Sequence, residues 1–257
     1  MNEAWKTAAW AVIDETPLPP TINVALDEIL LDQVATNGRG PTLRFWAWAS
    51  RAVIIGRFQS LKNEVDLDAA AEMDVEIVRR ITGGGAMFVE PNRAITYSLY
   101  FPERLVEGLS IVDSYEFCDS WVVDALRGMG VPAYYRPIND ITCDEGKIGG
   151  AAQARRGGAV LHHTTIAYEM NPADMLRVLR IGREKLSDKG TVSAAKRVSP
   201  VASHTGLPRD EVSRSLRGAF LSRFGGRIEV LDHASLMAAE GLAASKFADP
   251  TWTAALS

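Results

Sequence analysis

The chain has 257 residues, 47% of them hydrophobic, with a formal net charge of −4 and a pI near 5.7. That length and apolar share suit one large core, as a single domain or a domain with a small appendage, while the acidic balance argues against a general nucleic-acid binder and no apolar run reaches membrane-spanning length. The N-terminus lacks a secretory signal's layout, and two cysteines, Cys118 and Cys143, make neither a disulfide framework nor a zinc motif, so the expectation is a reduced, cytoplasmic protein without membrane or nucleic-acid partners.

Residues 9–14 read as a first strand, stopped by Pro17, Pro19 and Pro20. A helix follows over 23–34, with Leu26, Ile29, Leu30 and Val34 at helical spacing and Asn23 as its N-cap. Strands over 42–48 and 52–56 are joined by a turn at 49–51, and Trp46 and Trp48 read as packing residues. Gly56-Arg57-Phe58-Gln59 leaves the second strand with polar groups that face a pocket or lie in a loop. A short helix over 67–73 leads to strands over 75–78 and 94–101. Residues 110–129 form an amphipathic helix whose stripe includes Cys118, a core thiol rather than a reactive one.

Further strands are expected over 133–135, 139–141, from Lys147 onward, and over 159–168, with turns at 144–146 and 155–158. His162 and His163 are adjacent on a strand and so point to opposite faces, which argues against a shared metal site. Helices over 172–181, 210–224 and 235–246 complete the chain, with a polar segment over 185–198 and a short strand over 227–230. Strands and helices do not alternate strictly, so the fold class is α+β, a mostly antiparallel or mixed sheet with helices packed on it.

The stretch from Arg79 to Phe88 is the chemical centre. Arg79 and Arg80 precede Gly83, Gly84 and Gly85, between two strands. Glycines let a backbone turn sharply and bring amides close to a ligand, and a guanidinium beside such amides clamps phosphate or carboxylate. A plain turn is the competing reading. The loop is not a P-loop or a dinucleotide fingerprint, since the motif spacing is absent and a strand follows rather than a helix; no Gly-x-Ser-x-Gly elbow occurs. Lys147 stands directly before small residues, held against closely approaching backbone. Arginines, glycines and one lysine suit the activation of a carboxylic acid by ATP, where positive charge must quiet two anions that repel one another and the acid itself is the nucleophile.

Residues 79–88 closely resemble the Arg-Arg-x-Ser/Thr-Gly-Gly-Gly-Ala motif of lipoate–protein ligases. Asn139-Asp140-Ile141 followed by Lys147-Ile148-Gly149-Gly150-Ala151 is similar to that family's second motif, and residues 161–166, 23–28, 53–59, 196–198 and Trp252 look like further family landmarks, in order along almost the whole chain. The resemblance implies a biotin/lipoyl protein ligase fold, like the class II aminoacyl-tRNA synthetase core. It also implies activation of lipoate (or octanoate) with Mg2+-ATP to an acyl-adenylate, then transfer to a lysine of an apo lipoyl domain or H-protein-like acceptor. On that basis Lys147 is the catalytic residue. Arg80, Gly85, Ala86, Met87, Phe88 and Lys147 bind nucleotide; Arg79, Gly83, Gly84, Lys147, Gly150 and His163 bind lipoate; Asp140 contacts a metal; and Val53 and Ile55 wall the apolar slot.

Two departures stand out. Val89-Glu90-Pro91 occupies the place where many members carry His-Asp. Only about sixty residues follow the 196–198 landmark, too few for a typical accessory domain of at least ~50 residues beyond the core remainder; one catalytic domain over 1–257 is expected, with a small separate subunit as a possible replacement for the accessory domain. The main rival within the superfamily is an octanoyl-carrier-protein transferase, or a lipoyl/octanoyl amidotransferase, using Cys143 as nucleophile and needing no ATP. Lys147 favours a thiolate there, and Asp144 and Glu145 oppose it. A non-catalytic lipoate- or biotin-binding protein and a biotin ligase are the remaining readings.

Overall fold

A computed structural model describes residues 3–180 and 197–256, so most of the expected polar segment over 185–198 lies outside the described residues. In chain order the elements are α1 (Glu3–Thr7), β1 (Ala11–Ile13), β2 (Pro17–Leu18), α2 (Pro20–Ala35), β3 (Thr42–Trp48), β4 (Ala52–Ile55), α3 (Leu61–Glu64), α4 (Leu67–Glu72), β5 (Glu76–Arg79), β6 (Met87–Val89) and β7 (Ala94–Pro102). They continue as α5 (Ile111–Gly128), β8 (Tyr134–Arg136), β9 (Asp140–Cys143), β10 (Gly146–Arg156), β11 (Ala159–Ala167), α6 (Pro172–Val178), α7 (Arg209–Phe224), β12 (Arg227–Glu229), α8 (His233–Leu242) and α9 (Pro250–Thr253). No helix among the described residues is long and apolar enough to cross a membrane.

The class is α+β, as expected. The main sheet runs β12-β1-β3-β7-β11-β10-β9-β8, with β2 paired to β3. β1 is parallel to both its neighbours, whereas β3, β7, β11, β10, β9 and β8 pair antiparallel in succession. The centre is the β7–β11 ladder, in register from Ala94 opposite Ala167 to Pro102 opposite Ala159. Successive residues of a strand face opposite ways. On β7 and β11 one set (Tyr97, Leu99, His162, Thr164) faces α5, and the other (Ser98, Tyr100, His163) faces α2. Both faces are covered, so β7 is buried from Ala94 to Phe101.

The larger core joins the α5 face to α1 and α7 through Trp5, Trp10, Trp121, Phe220 and Phe224, and it includes Ile141, Cys143 and Ile148 of the β9–β10 hairpin. A second sheet, β5-β4-β6, has β4 parallel to β5 and antiparallel to β6. The 49–51 turn forms, but β3 and β4 enter different sheets instead of pairing. Asn23 is not a cap. α2 starts at Pro20, whose missing N–H and fixed φ suit a first helical turn, and buried Asn23 donates through Nδ2 to the Leu18 and Ala47 carbonyls at 3.0 Å each.

Candidate functional site

A cavity of about 370 Å³ opens between the glycine loop, the β9–β10 hairpin and β11, bounded by Arg80, Gly84, Lys147, Gly150 and His163. Lys147 sits at a register shift in β10, between the pairs Lys147–Thr142 and Gly149–Ile141. Such a bulge re-aims a side chain locally. Its Nζ lies 2.9 Å from Asp140 Oδ1, the lysine side chain 32% exposed and the aspartate 3%, so the cation is fixed yet reachable. Gly150 makes room for it: a Cβ there would lie 2.5 Å from Nζ. The backbone of Lys147 is bracketed, with its N–H donating to the Arg197 carbonyl and its carbonyl accepting from Ser199 N, both at 2.8 Å. Asn139 ties down the hairpin's start by donating through Nδ2 to the Ala151 carbonyl at 2.6 Å.

Facing the lysine is the glycine loop. A Cβ on Gly56 would overlap the Gly84 carbonyl oxygen, and Gly84 has φ +87, so only glycine lets the loop fold this close to β4. Arg80 is the loop's scaffold. It donates to Thr82 Oγ1 at 2.9 Å, to the Gly83 carbonyl at 2.6 Å, to the Gly85 carbonyl at 2.9 Å and to the Ile54 carbonyl at 3.1 Å. Burial lowers its pKa to about 10, leaving it charged at neutral pH. With its donors spent on Thr82 and on the carbonyls of Gly83, Gly85 and Ile54, Arg80 lines the cavity and holds the loop against β4.

Behind the loop runs a buried relay that the sequence reading missed. Asp27 Oδ2 lies 2.7 Å from His163 Nδ1, and His163 Nε2 lies 2.9 Å from Thr82 Oγ1. The other Asp27 oxygen accepts from Ser98 Oγ at 2.8 Å and Tyr100 Oη at 2.6 Å. A carboxylate on the buried side of an apolar helix was the available signal, because a buried charge needs partners. On the opposite face His162 makes its own pair, Nε2 2.7 Å from Asp119 Oδ1, as expected of adjacent strand residues.

Several expected site residues sit elsewhere. Arg79 is fully buried and absent from the cavity wall. It donates to the carbonyls of Gly56 and Gln59 at 3.0 and 2.7 Å and of Trp252 and Thr253 at 3.1 and 2.7 Å. The sequence reading placed it on lipoate; its side chain instead latches the C-terminal segment onto the β4 exit. Gly83 is outside the lining as well, against Phe58. Val53 and Ile55 do not wall the slot: they pack inward on Val65, Val178 and Leu179. The apolar wall comes from Met87, Ile148, Met170, Met175, Leu179 and Val198. Gln59 accepts from Gly56 N at 2.8 Å and Arg57 stacks over Trp252 at 4.1 Å, so that loop does not face the pocket.

Gly85, Ala86, Met87 and Phe88 do line the cavity, as do Val89 and Glu90 of the unusual exit. Glu90 is buried between Arg51, 3.3 Å away, and Arg93, 3.7 Å away. Among the described residues Asp140 belongs to no group of three or more carboxylate, histidine or cysteine donors that could hold a metal. Cys143 alternates with Asp140 and Thr142 along β9, so its thiol faces the core rather than Lys147. Cys118 lies in the same core, its thiol pushed well above the ordinary range by burial.

The octanoyltransferase LipM of Moorella thermoacetica is 31% identical over 201 residues, covering 70% of this chain and 72% of the relative. Two solved structures share the fold at TM-score 0.80. One is a bi-partite lipoate protein ligase from an archaeal lipoylation system of Thermoplasma acidophilum, described with its E2 lipoyl domain, 27% identical and covering 97% of both chains. The other is a lipoate-protein ligase A bound with ATP, 26% identical, covering 98% of this chain and 100% of the other. Residues 19–221 match the lipoyl protein ligase A/B catalytic domain, and the chain belongs to that family of lipoate ligases and octanoyltransferases.

Proposed function

We propose that the chain is a lipoate–protein ligase that activates lipoate or octanoate with ATP and passes the acyl group to a lysine of a lipoyl acceptor domain. The observation that carries this reading is Lys147. It is fixed 2.9 Å from Asp140, opposite the glycine loop, in a cavity whose described wall contains cations and glycines but no thiol. In the first step a carboxylate oxygen of the acid attacks the α-phosphorus of ATP and pyrophosphate leaves. Lys147 Nζ would meet both the carboxylate and the α-phosphate, and backbone N–H groups of the glycine loop would donate to phosphate oxygens. In the second step the acceptor lysine's neutral amine attacks the acyl carbonyl, AMP leaves, and an amide forms with loss of a proton. Mg2+ ordinarily takes one or two carboxylates plus phosphates and waters; Asp140 suits the role of that carboxylate, and the ion would neutralise phosphate charge.

A second reading is favoured by the names of the curated sequence relatives, which are octanoyltransferases. On sequence likeness alone that reading stands ahead of the ligase. It calls for a thiol at the acyl chain, and Cys143 is turned toward the core, 3.7 Å from His204 Nε2. The site geometry therefore supports acyl-adenylate chemistry best. The test gives the protein an apo lipoyl domain with lipoate and Mg2+-ATP in one tube and octanoyl-carrier protein in another. Modification in the first tube supports the ligase, and modification only in the second overturns it. Cys143→Ala separates the readings again, nearly silent for a ligase and fatal for a thioester transferase. If the first tube is active only with a second small protein added, an accessory subunit is part of the working enzyme.

A further inference from the structure

Spacing in the sequence excludes a zinc motif, yet the fold brings together a donor set from three separate places. Cys143 ends β9, Glu145 lies in the turn to β10, and His204 follows the single helical turn Val201–Ser203. One donor atom from each lies within 4.8 Å of the others, the one such group of three among the described residues. Cys143 Sγ and His204 Nε2 are 3.7 Å apart. A tetrahedral zinc, with Zn–S of about 2.3 Å and Zn–N of about 2.0–2.1 Å, places its sulfur and nitrogen ligands about 3.6 Å from one another. The two stronger donors thus already stand at coordination spacing, and Glu145, which is exposed, can turn to meet them.

We propose that Cys143, Glu145 and His204 form a binding site for a thiophilic divalent cation of the Zn2+ class, with water at the solvent side. A thiolate, an imidazole and a carboxylate select zinc or cobalt over magnesium or calcium. Binding removes the Cys143 proton to solvent. It also replaces two present contacts, the S–H donated to the Gly146 carbonyl at 3.5 Å and the Ser199 Oγ contact to His204 Nε2 at 2.8 Å. The site is on the far face of the hairpin from the cavity, yet both of its halves reach the same residue. The hairpin continues into Lys147, and the 197–199 segment bonds the Lys147 N–H and carbonyl. An occupied site would clamp these pieces together and hold the backbone of Lys147 from behind.

The test titrates Co2+ into the metal-stripped full-length protein. The expected result is one equivalent bound, with a thiolate-to-cobalt charge-transfer band that Zn2+ abolishes by displacement. Cys143→Ser should lose the band, while Glu145→Gln and His204→Asn should bind at least tenfold more weakly, each with unchanged circular dichroism. Glu145→Gln alters an exposed side chain and keeps the comparison valid if a buried variant misfolds. Zn2+ should also slow amide exchange at Lys147 and Ser199 in the wild-type protein. Absence of the band in the wild type, its persistence in Cys143→Ser, or exchange at Lys147 that ignores Zn2+ would overturn the proposal.

Discussion

Thr82 Oγ1 stands 2.9 Å from His163 Nε2 on one side and 2.9 Å from Arg80 Nε on the other. Arg80 can only donate, so the Thr82 oxygen accepts from it and the hydroxyl hydrogen turns to the imidazole. His163 Nε2 is then the acceptor, and its hydrogen is on Nδ1, aimed at Asp27. One direction runs through four side chains from the glycine loop to α2, and it requires neutral His163. Burial, the largest influence, holds the His163 pKa below its ordinary value despite the Asp27 carboxylate.

That depression fixes the sign of a pH effect. Between the folded value and the ordinary value of about 6.5, the unfolded chain binds the proton and the folded chain does not. Stability therefore rises with pH through this window, is complete above about 6.5, and is lost as pH falls. Melting temperatures measured through mild acid should show this slope for the wild type and a flatter one for His163→Gln. Equal slopes would remove His163 from the relay's pH response.

Lys147→Ala should lower the rate of pyrophosphate release with lipoate and ATP by at least about 10²–10³-fold, the scale of losing one positioned charge stabiliser. Its circular dichroism should stay that of the wild type while its melting temperature falls, since the buried Asp140 loses the cation 2.9 Å away. A wild-type rate would refute the role given to this lysine.

Two glycines of the site should fail in different ways. An added Cβ at Gly56 meets backbone, the Gly84 carbonyl, so Gly56→Ala should lose about 1–3 kcal/mol of stability, as overpacked sites do, and activity with it. At Gly150 the Cβ meets the far end of Lys147, which can move aside. Gly150→Ala should melt near wild type while activity falls. Denaturation curves beside turnover rates distinguish the two, and equal stability losses would count against this division.

Arg79 should prove structural. Arg79→Met takes their donor from the carbonyls of Gln59 and Thr253, each such loss costing about 1–3 kcal/mol. The expected signs are a clear drop in melting temperature and rapid proteolysis between 248 and 256. Wild-type protection of that segment, with activity lost, would return Arg79 to a ligand-binding role.

How much of this was legible depended on whether the information was local. The α5 helix, the β7 and β11 strands and the β9–β10 hairpin announce themselves through periodicity and turn residues, and Lys147 before its small neighbours was readable as a lysine held against backbone. The partition of β3 and β4 into two sheets was not, because a turn specifies a change of direction and not the pairing partner. Arg79 and Arg80 are adjacent and chemically identical, and contacts with distant parts of the chain, such as those of Arg79 to Trp252 and Thr253, 173 and 174 residues onward, separate their tasks. The Asp27–His163 and Cys143–His204 meetings are likewise contacts between distant parts of the chain that no spacing encodes.

The paired histidines of β11 also bear on how the chain finds its alignment. A slip of β11 by one residue would carry every side chain to the opposite face. His162 could then meet Asp27, but Leu161 would face Asp119, which now receives Tyr97 Oη and Thr164 Oγ1 besides His162. A buried carboxylate would keep Tyr97 but exchange the His162 ring for an aliphatic side chain, a costly arrangement. Two aspartates on helices of opposite layers thus check the ladder from both sides: this slip can satisfy one of them only at the expense of the other, while the native alignment satisfies both at once.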